Sequence, residues 1–445
     1  MLAEAEKRLL AAVNRRELVS LTQELVRIDS VIRPEAGNTE ARVVRFLSLW
    51  IQKELSLAPL VEEVEPGREN LVATLEGQGE GPCLLLAGHT DVVSEGAREA
   101  WRHDPFGGEI EGGRIYGRGS CDMKAGLAVA LLTAKAFRRS GVGFPGRLRL
   151  GFLCDEEGMM IGIKHFIRRG HADGVDAALI PEPEENQLCL SMKGAMRARV
   201  RVTGRMAHGA MPLTGVNPNP RLARIILAYE AFEAQEKSRC GADPYLGLPS
   251  ITFTVLQSPP AGSPAQLNVM PGEAVGYVDI RTTPCQDHAD IRGRLTGILS
   301  ELAAADRDFK AEVEFIEDRP VVSMGREEPI VRAAAGAYRE LSGREPVYNG
   351  VPGATDGTFL RAWKGIPCLV NGPGPRHVPH QADEYVEIEE LVEAARIYTL
   401  TAYRYLTGSA RAVWPDPGDR TRRAGGRPRG NGAAAGAGAR RRSRS

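Results

Sequence analysis

The sequence predicts an α/β catalytic domain with a mostly parallel sheet, interrupted by a smaller inserted α+β domain. In the first half of the chain, short apolar segments alternate with segments whose apolar residues have helical spacing. Strands that alternate with helices are typical of a mostly parallel sheet covered on both faces. In the middle of the chain the order becomes β-α-β-β-α-β, which is the plan of a split βαβ, ferredoxin-like domain.

The elements of the first part follow from their apolar periodicity. The first 26 residues are typical of one amphipathic helix, and residues 40–54 of a second. The segment ENLVATLE and the apolar runs PCLLLAG, RLRLGFLC and DAALIP predict strands, and a helix begins near Met123. Near the end of the chain, PIVRAAAGAYREL predicts a helix and IPCLVNG a strand, and residues 384–388 lead into a last helix that ends near residue 407.

The middle segment has a different character. In MRARVRVTG, apolar residues alternate strictly with arginines, which indicates a strand with one solvated face. A helix near 219–236 follows this strand, and the strands LPSITFTVLQ and EAVGYVDIRT come next. A second helix near 286–305 then precedes the last strand, KAEVEFIED. We therefore predict an inserted domain at 194–318, a discontinuous catalytic domain at 1–193 and 319–407, and a tail at 408–445.

Composition and charge exclude several classes of protein. The chain has 445 residues, 42% of them hydrophobic and 26% charged, which is globular composition. No apolar run approaches the roughly 20 residues of a membrane helix, and no secretory signal is recognisable, so we expect a cytoplasmic protein. The seven cysteines are scattered without a C-x-x-C pair, which favours a reducing compartment and no disulfide framework.

The tail at 408–445 is rich in glycine, alanine and arginine and is predicted to be disordered. It contains ten arginines and two aspartates, and because the chain has no net charge, the first 407 residues are acidic by eight charges. An acidic globular part does not favour nucleic-acid binding. The tail is interpreted as a solvated extension, with a basic arm for nucleic acid as the alternative.

Acidic residues and one histidine follow the predicted strands of the first part. His89 and Asp91 follow PCLLLAG, Asp155–Glu157 follow RLRLGFLC, and Glu182 follows DAALIP, while Asp122 directly precedes a helix. Ligands of a parallel α/β sheet bind at the carboxyl ends of its strands. Clustered carboxylates repel one another, so the pattern predicts two divalent metal ions. Mixed His, Asp and Glu ligation suits zinc, with cobalt or manganese as alternatives.

The amino-acid sequences of the motifs are more specific than the spacing between them. GHTDVV, DPFGG, YGRGSCDMKAG, DEEG, GRMAHGAMP, LNVMPGE, DIRTTP, GATDGTFL and GPGPRHVPHQADEYV occur in this order. Together they resemble the zinc aminoacylase and metallopeptidase family that includes acetylornithine deacetylase, succinyl-diaminopimelate desuccinylase, glutamate carboxypeptidase and cytosolic dipeptidases. The resemblance covers about residues 15–407.

The resemblance implies a role for each residue of the cluster. His89 and Glu182 would bind one metal ion, Glu157 and His380 the other, and Asp122 would bridge them. Glu156 would be the general base and acid. Asp91 would orient the imidazole of His89 by a hydrogen bond from its carboxylate. Glu184 and Glu185 compete with Glu182, and His377 competes with His380; Cys121 is interpreted as a packing residue.

The resemblance also implies residues that contact the substrate. His208 would reach the active site of a neighbouring subunit and stabilise an oxyanion, so the inserted domain would serve as lid and dimerisation domain of a homodimer. Asn268 and Arg281 would bind the substrate carboxylate, and Gly353 and Asp356 lie in a loop near the substrate. Desuccinylases commonly have arginine where this chain has Thr358, which weakens that assignment.

The function expected is hydrolysis of the amide bond of an N-acyl amino acid. A dipeptidase or carboxypeptidase of the same family is the alternative. A catalytically silent binding protein is an alternative of another class, but it would be expected to lack ligands, whereas all five are present here with the base.

Overall fold

The computed structural model describes residues 2–408. Its helices are α1 (Glu4–Ala11), α2 (Arg15–Val26), α3 (Ala41–Leu55), α4 (Lys124–Ser140), α5 (Ile161–Arg168), α6 (Asn219–Cys240), α7 (His288–Ala305), α8 (Pro329–Ser342), α9 (Asp356–Lys364) and α10 (Ile388–Thr407). The predicted N-terminal helix is wrong in one respect, because it consists of two helices. Asn14 directly precedes the second helix, and its side chain caps α2 by accepting a hydrogen bond from the Glu17 amide at 3.1 Å.

Within residues 2–408 the strands form four sheets. They are β1 (Leu60–Glu65), β2 (Arg68–Glu76), β3 (Cys83–His89), β4 (Glu109–Glu111), β5 (Arg114–Tyr116), β6 (Arg147–Leu153), β7 (Ala177–Ile180), β8 (Leu188–Met192), β9 (Gly194–Thr203), β10 (Ala207–His208), β11 (Ser250–Gln257), β12 (Val269–Met270), β13 (Glu273–Thr282), β14 (Ala311–Arg319), β15 (Val322–Ser323), β16 (Tyr348–Val351), β17 (Cys368–Val370) and β18 (Tyr385–Glu387). Strands β4, β5 and β18 make a small sheet of three.

The large sheet has nine strands in the order β1-β2-β6-β3-β7-β17-β8-β15, with β16 paired to β8. Its class is α/β, as predicted, and its pairing is mixed. The central strands β6, β3, β7 and β17 are parallel, whereas β1, β2 and β15 pair antiparallel with their neighbours. Every residue of β3 and β7 is buried, which is typical of parallel strands covered on both faces. The carboxyl ends of β3, β6 and β7 therefore meet at one edge.

The inserted sheet comprises β11, β13, β9 and β14 in that order, and all its pairs are antiparallel. Apolar residues of its strands form a separate core with α6 and α7, which includes Val200, Tyr229 and Leu295. This agrees with the element order predicted for 194–318. The division of the chain into independent domains remains a prediction. Between β9 and β13, β10 and β12 form a short two-stranded ribbon.

The prediction of no disulfide is wrong for one pair of cysteines. Cys240, the last residue of α6, is bonded to Cys285, which lies just before α7. The other five cysteines are free and buried. The two partners are 45 residues apart in sequence, and only the packing of α6 beside α7 brings them together, so no spacing rule identifies the pair.

None of the helices within residues 2–408 has the length and apolar character required to cross a membrane. The predicted disordered tail lies outside the described residues, apart from Gly408.

Candidate metal centre

Five predicted ligands come together at the carboxyl edge of the large sheet. His89 is the last residue of β3, Glu157 follows β6 and Glu182 follows β7. Asp122 lies in the turn before α4, and His380 lies in the loop between β17 and β18. The adjacent ends of three parallel strands thus supply one ligand each, as the sequence predicts.

The ligands form two groups that share Asp122. In the first, atoms of His89, Asp122 and Glu182 lie within 4.8 Å of one another; in the second, atoms of Asp122, Glu157 and His380 do. One oxygen of Asp122, Oδ1, is 3.1 Å from Nε2 of His89, and the other, Oδ2, is 3.3 Å from Nε2 of His380. A carboxylate with one oxygen in each group is the geometry of a bridging ligand.

Each ligand group also contains a glutamate close to its histidine. Glu182 Oε1 is 3.7 Å from Nε2 of His89, and Glu157 Oε1 is 2.9 Å from Nε2 of His380. His89 is fully buried, whereas the side chain of His380 is 52% exposed. The second group therefore faces solvent and the first lies beneath it.

Asp91 orients His89 in a different way from the one predicted. Nδ1 of His89 lies 2.9 Å from the backbone carbonyl oxygen of Asp91. Because a carbonyl can only accept a hydrogen bond, Nδ1 is the donor, and Nε2 is left to face Asp122 and Glu182. The Asp91 carboxylate is 3.6 Å from Nδ1. It instead accepts the amide N–H groups of Glu156 and Glu157, each at 3.1 Å. Asp91 thus holds both the imidazole and the loop that carries the two glutamates.

Glu384 organises the turn that carries the bridging aspartate, a role that sequence reasoning missed. Its Oε1 accepts the amide N–H groups of Gly119, Cys121 and Asp122 at 2.9–3.0 Å, and its Oε2 pairs with the buried Arg118. Glu384 itself is fully buried. Nothing in the polar segment that precedes β18 marks this residue, because its partners lie more than 260 residues away in sequence.

A glycine permits the loop of His380 to approach this turn. Gly374 has φ of +120°, and a Cβ atom there would lie 2.4 Å from Sγ of Cys121. Any other residue would therefore push the loop away from the turn that bears Asp122. Cys121 is buried with its thiol against the Pro375 carbonyl at 3.8 Å, in agreement with its interpretation as a packing residue.

The electrostatics of the cluster favour bound cations. Burial raises the pKa of Glu182 to about 8 and that of Glu156 well above its ordinary range, and neighbouring carboxylates add to both shifts. Burial lowers the pKa of His89, but the nearby carboxylates of Glu182 and Asp122 raise it well above its ordinary value. Hydrogen bonds to Asp122 and Glu157 raise the pKa of His380 to about 10. The same negative potential that retains protons here attracts a metal cation, which competes with those protons.

Glu156 and Asp356 are buried carboxyls near the cluster but belong to neither ligand group. Glu156 is 8% exposed and is held through its amide by Asp91. Asp356 begins α9, and within the described chain neither of its carboxylate oxygens has a hydrogen-bond partner. Burial raises the pKa of Asp356 to about 7. Gly353, in the same loop, has open space where a side chain would be.

The competing ligands have other contacts. Glu184 pairs with Arg376 at 3.1 Å and accepts the thiol of Cys189. Glu185 is exposed and bonds Gln187. His377 is exposed, and its backbone carbonyl accepts a hydrogen bond from the Gln381 side chain. The geometry therefore favours Glu182 and His380 as ligands.

The predicted substrate residues of the inserted segment lie in two places. His208 and Asn268 are exposed neighbours on the β10–β12 ribbon, where the Gly209 amide donates to the Asn268 carbonyl at 2.7 Å. Nδ1 of His208 accepts the Ala210 amide. Arg281 lies near the carboxyl end of β13, away from the ribbon. Its guanidinium donates two hydrogen bonds to Asp279, at 2.6 and 3.1 Å. A substrate carboxylate at Arg281 would share this guanidinium with Asp279.

Comparison with known proteins shows what the chain is similar to. Residues 85–404 match the model of peptidase family M20/M25/M40. The chain is 29% identical over 414 residues to succinyl-diaminopimelate desuccinylase of Methylobacterium sp. (strain 4-46), with 90% of this chain and 98% of the relative covered.

Two solved structures have the same fold. A metallo-carboxypeptidase of the M20 family from Sulfolobus solfataricus superposes with a TM-score of 0.73 at 18% identity, over 87% of this chain and 99% of that one. A dinuclear metal-binding peptidase of the M20 family from Bacillus subtilis superposes with a TM-score of 0.65 at 17% identity, over 88% of this chain and 98% of that one.

Proposed function

Since the chain belongs to peptidase family M20/M25/M40 and is a metal-dependent hydrolase, we propose that it uses two metal ions to cleave the amide bond of an N-acyl amino acid. The observation that carries the proposal is the placement of Asp122, whose two oxygens face two histidines of separate ligand groups. The dinuclear relative from Bacillus subtilis supports two ions.

In this proposal, His89 and Glu182 hold one ion, Glu157 and His380 the other, and Asp122 bridges both. The residues fit zinc, with cobalt or manganese as alternatives, because imidazole and carboxylate ligands occur without a thiolate. When bound, the ions supply Lewis-acid activation of a water and of the acyl carbonyl.

Glu156 is the proton carrier. It takes a proton from the attacking water and later delivers it to the leaving amine nitrogen, which yields a carboxylic acid and an amino acid. Its buried position supports this role, because a raised pKa lets the carboxyl keep the proton between the two steps. Asp91 holds the Glu156 amide, and Glu384 holds the turn of Asp122, so both chemical groups are fixed by the backbone.

His208 acts in the active site of a partner subunit in this proposal, where its imidazole donates to the developing oxyanion. Its exposure at the tip of the β10–β12 ribbon supports the role, as does the exposure of Asn268 beside it. The protein would then be a homodimer in which each site borrows a histidine.

Subunit exchange tests the dimer. A His208→Ala variant and a Glu156→Gln variant are each expected to be inactive alone. Mixed in equal amounts and allowed to exchange, they should recover about a quarter of wild-type activity, because half of the dimers then contain one complete site. Exchange is verified with differently tagged subunits. If verified heterodimers stay inactive, His208 acts within its own chain or only in the structure.

The substrate class rests on the relatives. The desuccinylase similarity favours an N-acyl amino acid, and the metallo-carboxypeptidase fold keeps a dipeptidase or carboxypeptidase as the alternative. Thr358 is buried behind the N-cap of α9, where its hydroxyl accepts the Thr355 amide at 3.2 Å. It therefore does not replace an arginine that binds a succinyl carboxylate.

A hydrolysis panel separates these substrates. The zinc- or cobalt-loaded protein is assayed with N-acetylornithine, N-succinyl-diaminopimelate, N-acetyl amino acids and dipeptides. We expect turnover of an N-acetyl amino acid to exceed that of the succinyl compound. Preferential cleavage of dipeptides would select the alternative, and no cleavage of any amide by metal-loaded protein would favour a binding protein.

A cytoplasmic location is part of the proposal.

A further inference from the structure

Arg319 connects the inserted sheet to the loop that carries Glu156 and Glu157. It is the last residue of β14, and it is buried with 8% exposure. Its Nη2 donates to the backbone carbonyl of Gly158 at 2.5 Å. Gly158 directly follows Glu156 and Glu157, whose amides donate to the Asp91 carboxylate. The guanidinium therefore binds the same loop at a second point.

A β-bulge aims Arg319 at this loop. In the pairing of β14 with β9, Phe315 lies opposite Ala198 and Glu317 lies opposite Arg197, so Ile316 is an extra residue. Because successive side chains of a strand point to opposite faces, one inserted residue reverses the faces of all residues that follow. Asp318 consequently turns toward α7, where it pairs with Arg292 at 2.7 Å, and Glu317 and Arg319 turn to the arginine-bearing face.

On that face, charged side chains continue from Arg319 to Arg281. Nε of Arg319 donates a hydrogen bond to Glu317, and Glu317 also forms an ion pair with Arg197, whose Nη1 is 2.8 Å from Oε2. Arg197 is 3.9 Å from Asp279, which binds Arg281 at 2.6 Å. Arg281 and Arg319 also flank the same residue of β9, Ala195, so their strands are about 10 Å apart.

We propose that Arg319 is a positioning residue that holds the Glu156–Gly158 loop in register with the inserted sheet, and so with Arg281. The proposal rests on the proposed function, in which Arg281 binds the substrate carboxylate and Glu156 transfers the proton. A misplacement of about 1 Å between such groups costs on the order of 10²-fold in rate. Arginine suits the role because its planar fork serves two acceptors in different directions, here Glu317 and the Gly158 carbonyl.

Hydrogen–deuterium exchange tests the contact without reference to activity. Arg319→Ala and Arg319→Lys should each speed exchange of the Glu156 and Glu157 amides by about tenfold, because the loop opens more easily without the bond to Gly158. Lysine keeps the charge beside Glu317 but cannot serve both acceptors. The matched control is Arg292→Gln, which removes an ion pair of the neighbouring residue Asp318 on the helix side and should leave the loop unchanged.

Kinetics on the cleaved substrate complete the test. For both Arg319 variants kcat should fall about 10- to 100-fold with a smaller change in KM, while Arg292→Gln keeps wild-type values. Unchanged loop exchange in Arg319→Ala would overturn the proposal, and so would equal effects of Arg292→Gln or a loss of protection that extends to β3 and β13. A wild-type protein without hydrolase activity would contradict the proposed function, whereas the exchange result would still decide the role of Arg319.

Discussion

Replacing Glu156 with glutamine is expected to remove nearly all turnover while both metal ions stay bound. Glutamine has the same shape but cannot take a proton from water. General acid–base catalysis is worth about 10²–10⁴-fold, and the loss is larger where activation of the water depends on it. Because the Glu156 amide bonds Asp91 through the backbone, the substitution leaves the loop in place.

The measurement combines kcat with metal content of the purified variant. Glu185→Gln is the matched control, since this exposed carboxyl follows β7 and accepts hydrogen bonds from the Gln187 side chain and the Arg376 amide, outside both ligand groups. It should keep wild-type kcat. A Glu156→Gln protein with full metal content and wild-type kcat would show that another group carries the proton.

Replacing Asp122 with alanine should release both metal ions, whereas His89→Ala should weaken mainly one. Asp122 places one oxygen in each ligand group, and His89 belongs to the first group only. Without the bridging carboxylate each group keeps two protein ligands of its own. His89→Ala leaves Asp122, Glu157 and His380 intact.

Metal counting by mass spectrometry under native conditions decides this comparison. We expect two ions in the wild-type protein, one in His89→Ala and none in Asp122→Ala. Thermal unfolding of the metal-free forms provides the control for folding. Two tightly held ions in a folded Asp122→Ala protein would be incompatible with a bridging role.

The clustering of the proposed ligands could be predicted because they occupy positions that local sequence defines. His89 ends β3, and Glu157 and Glu182 follow β6 and β7. The carboxyl ends of parallel strands share an edge of the sheet. The Asp122 turn and the His380 loop were identified by motif wording, which is also local. The strictly alternating strand MRARVRVTG similarly indicated the half-solvated inserted sheet, since an alternating pattern has one face to bury.

Contacts between distant segments were decided by tertiary structure alone. The buried Glu384 binds the turn at Gly119–Asp122 only because β18 pairs with β5, and Cys240 meets Cys285 only because α6 lies beside α7. Asp91 was expected to use its carboxylate on His89, but the backbone geometry after β3 presents the carbonyl instead. The bulge at Ile316 is likewise invisible in the sequence of β14, because an extra residue is defined only against the paired strand. Local pattern therefore determined which residues could be predicted to meet at the site, and strand pairing decided which residues hold them in place.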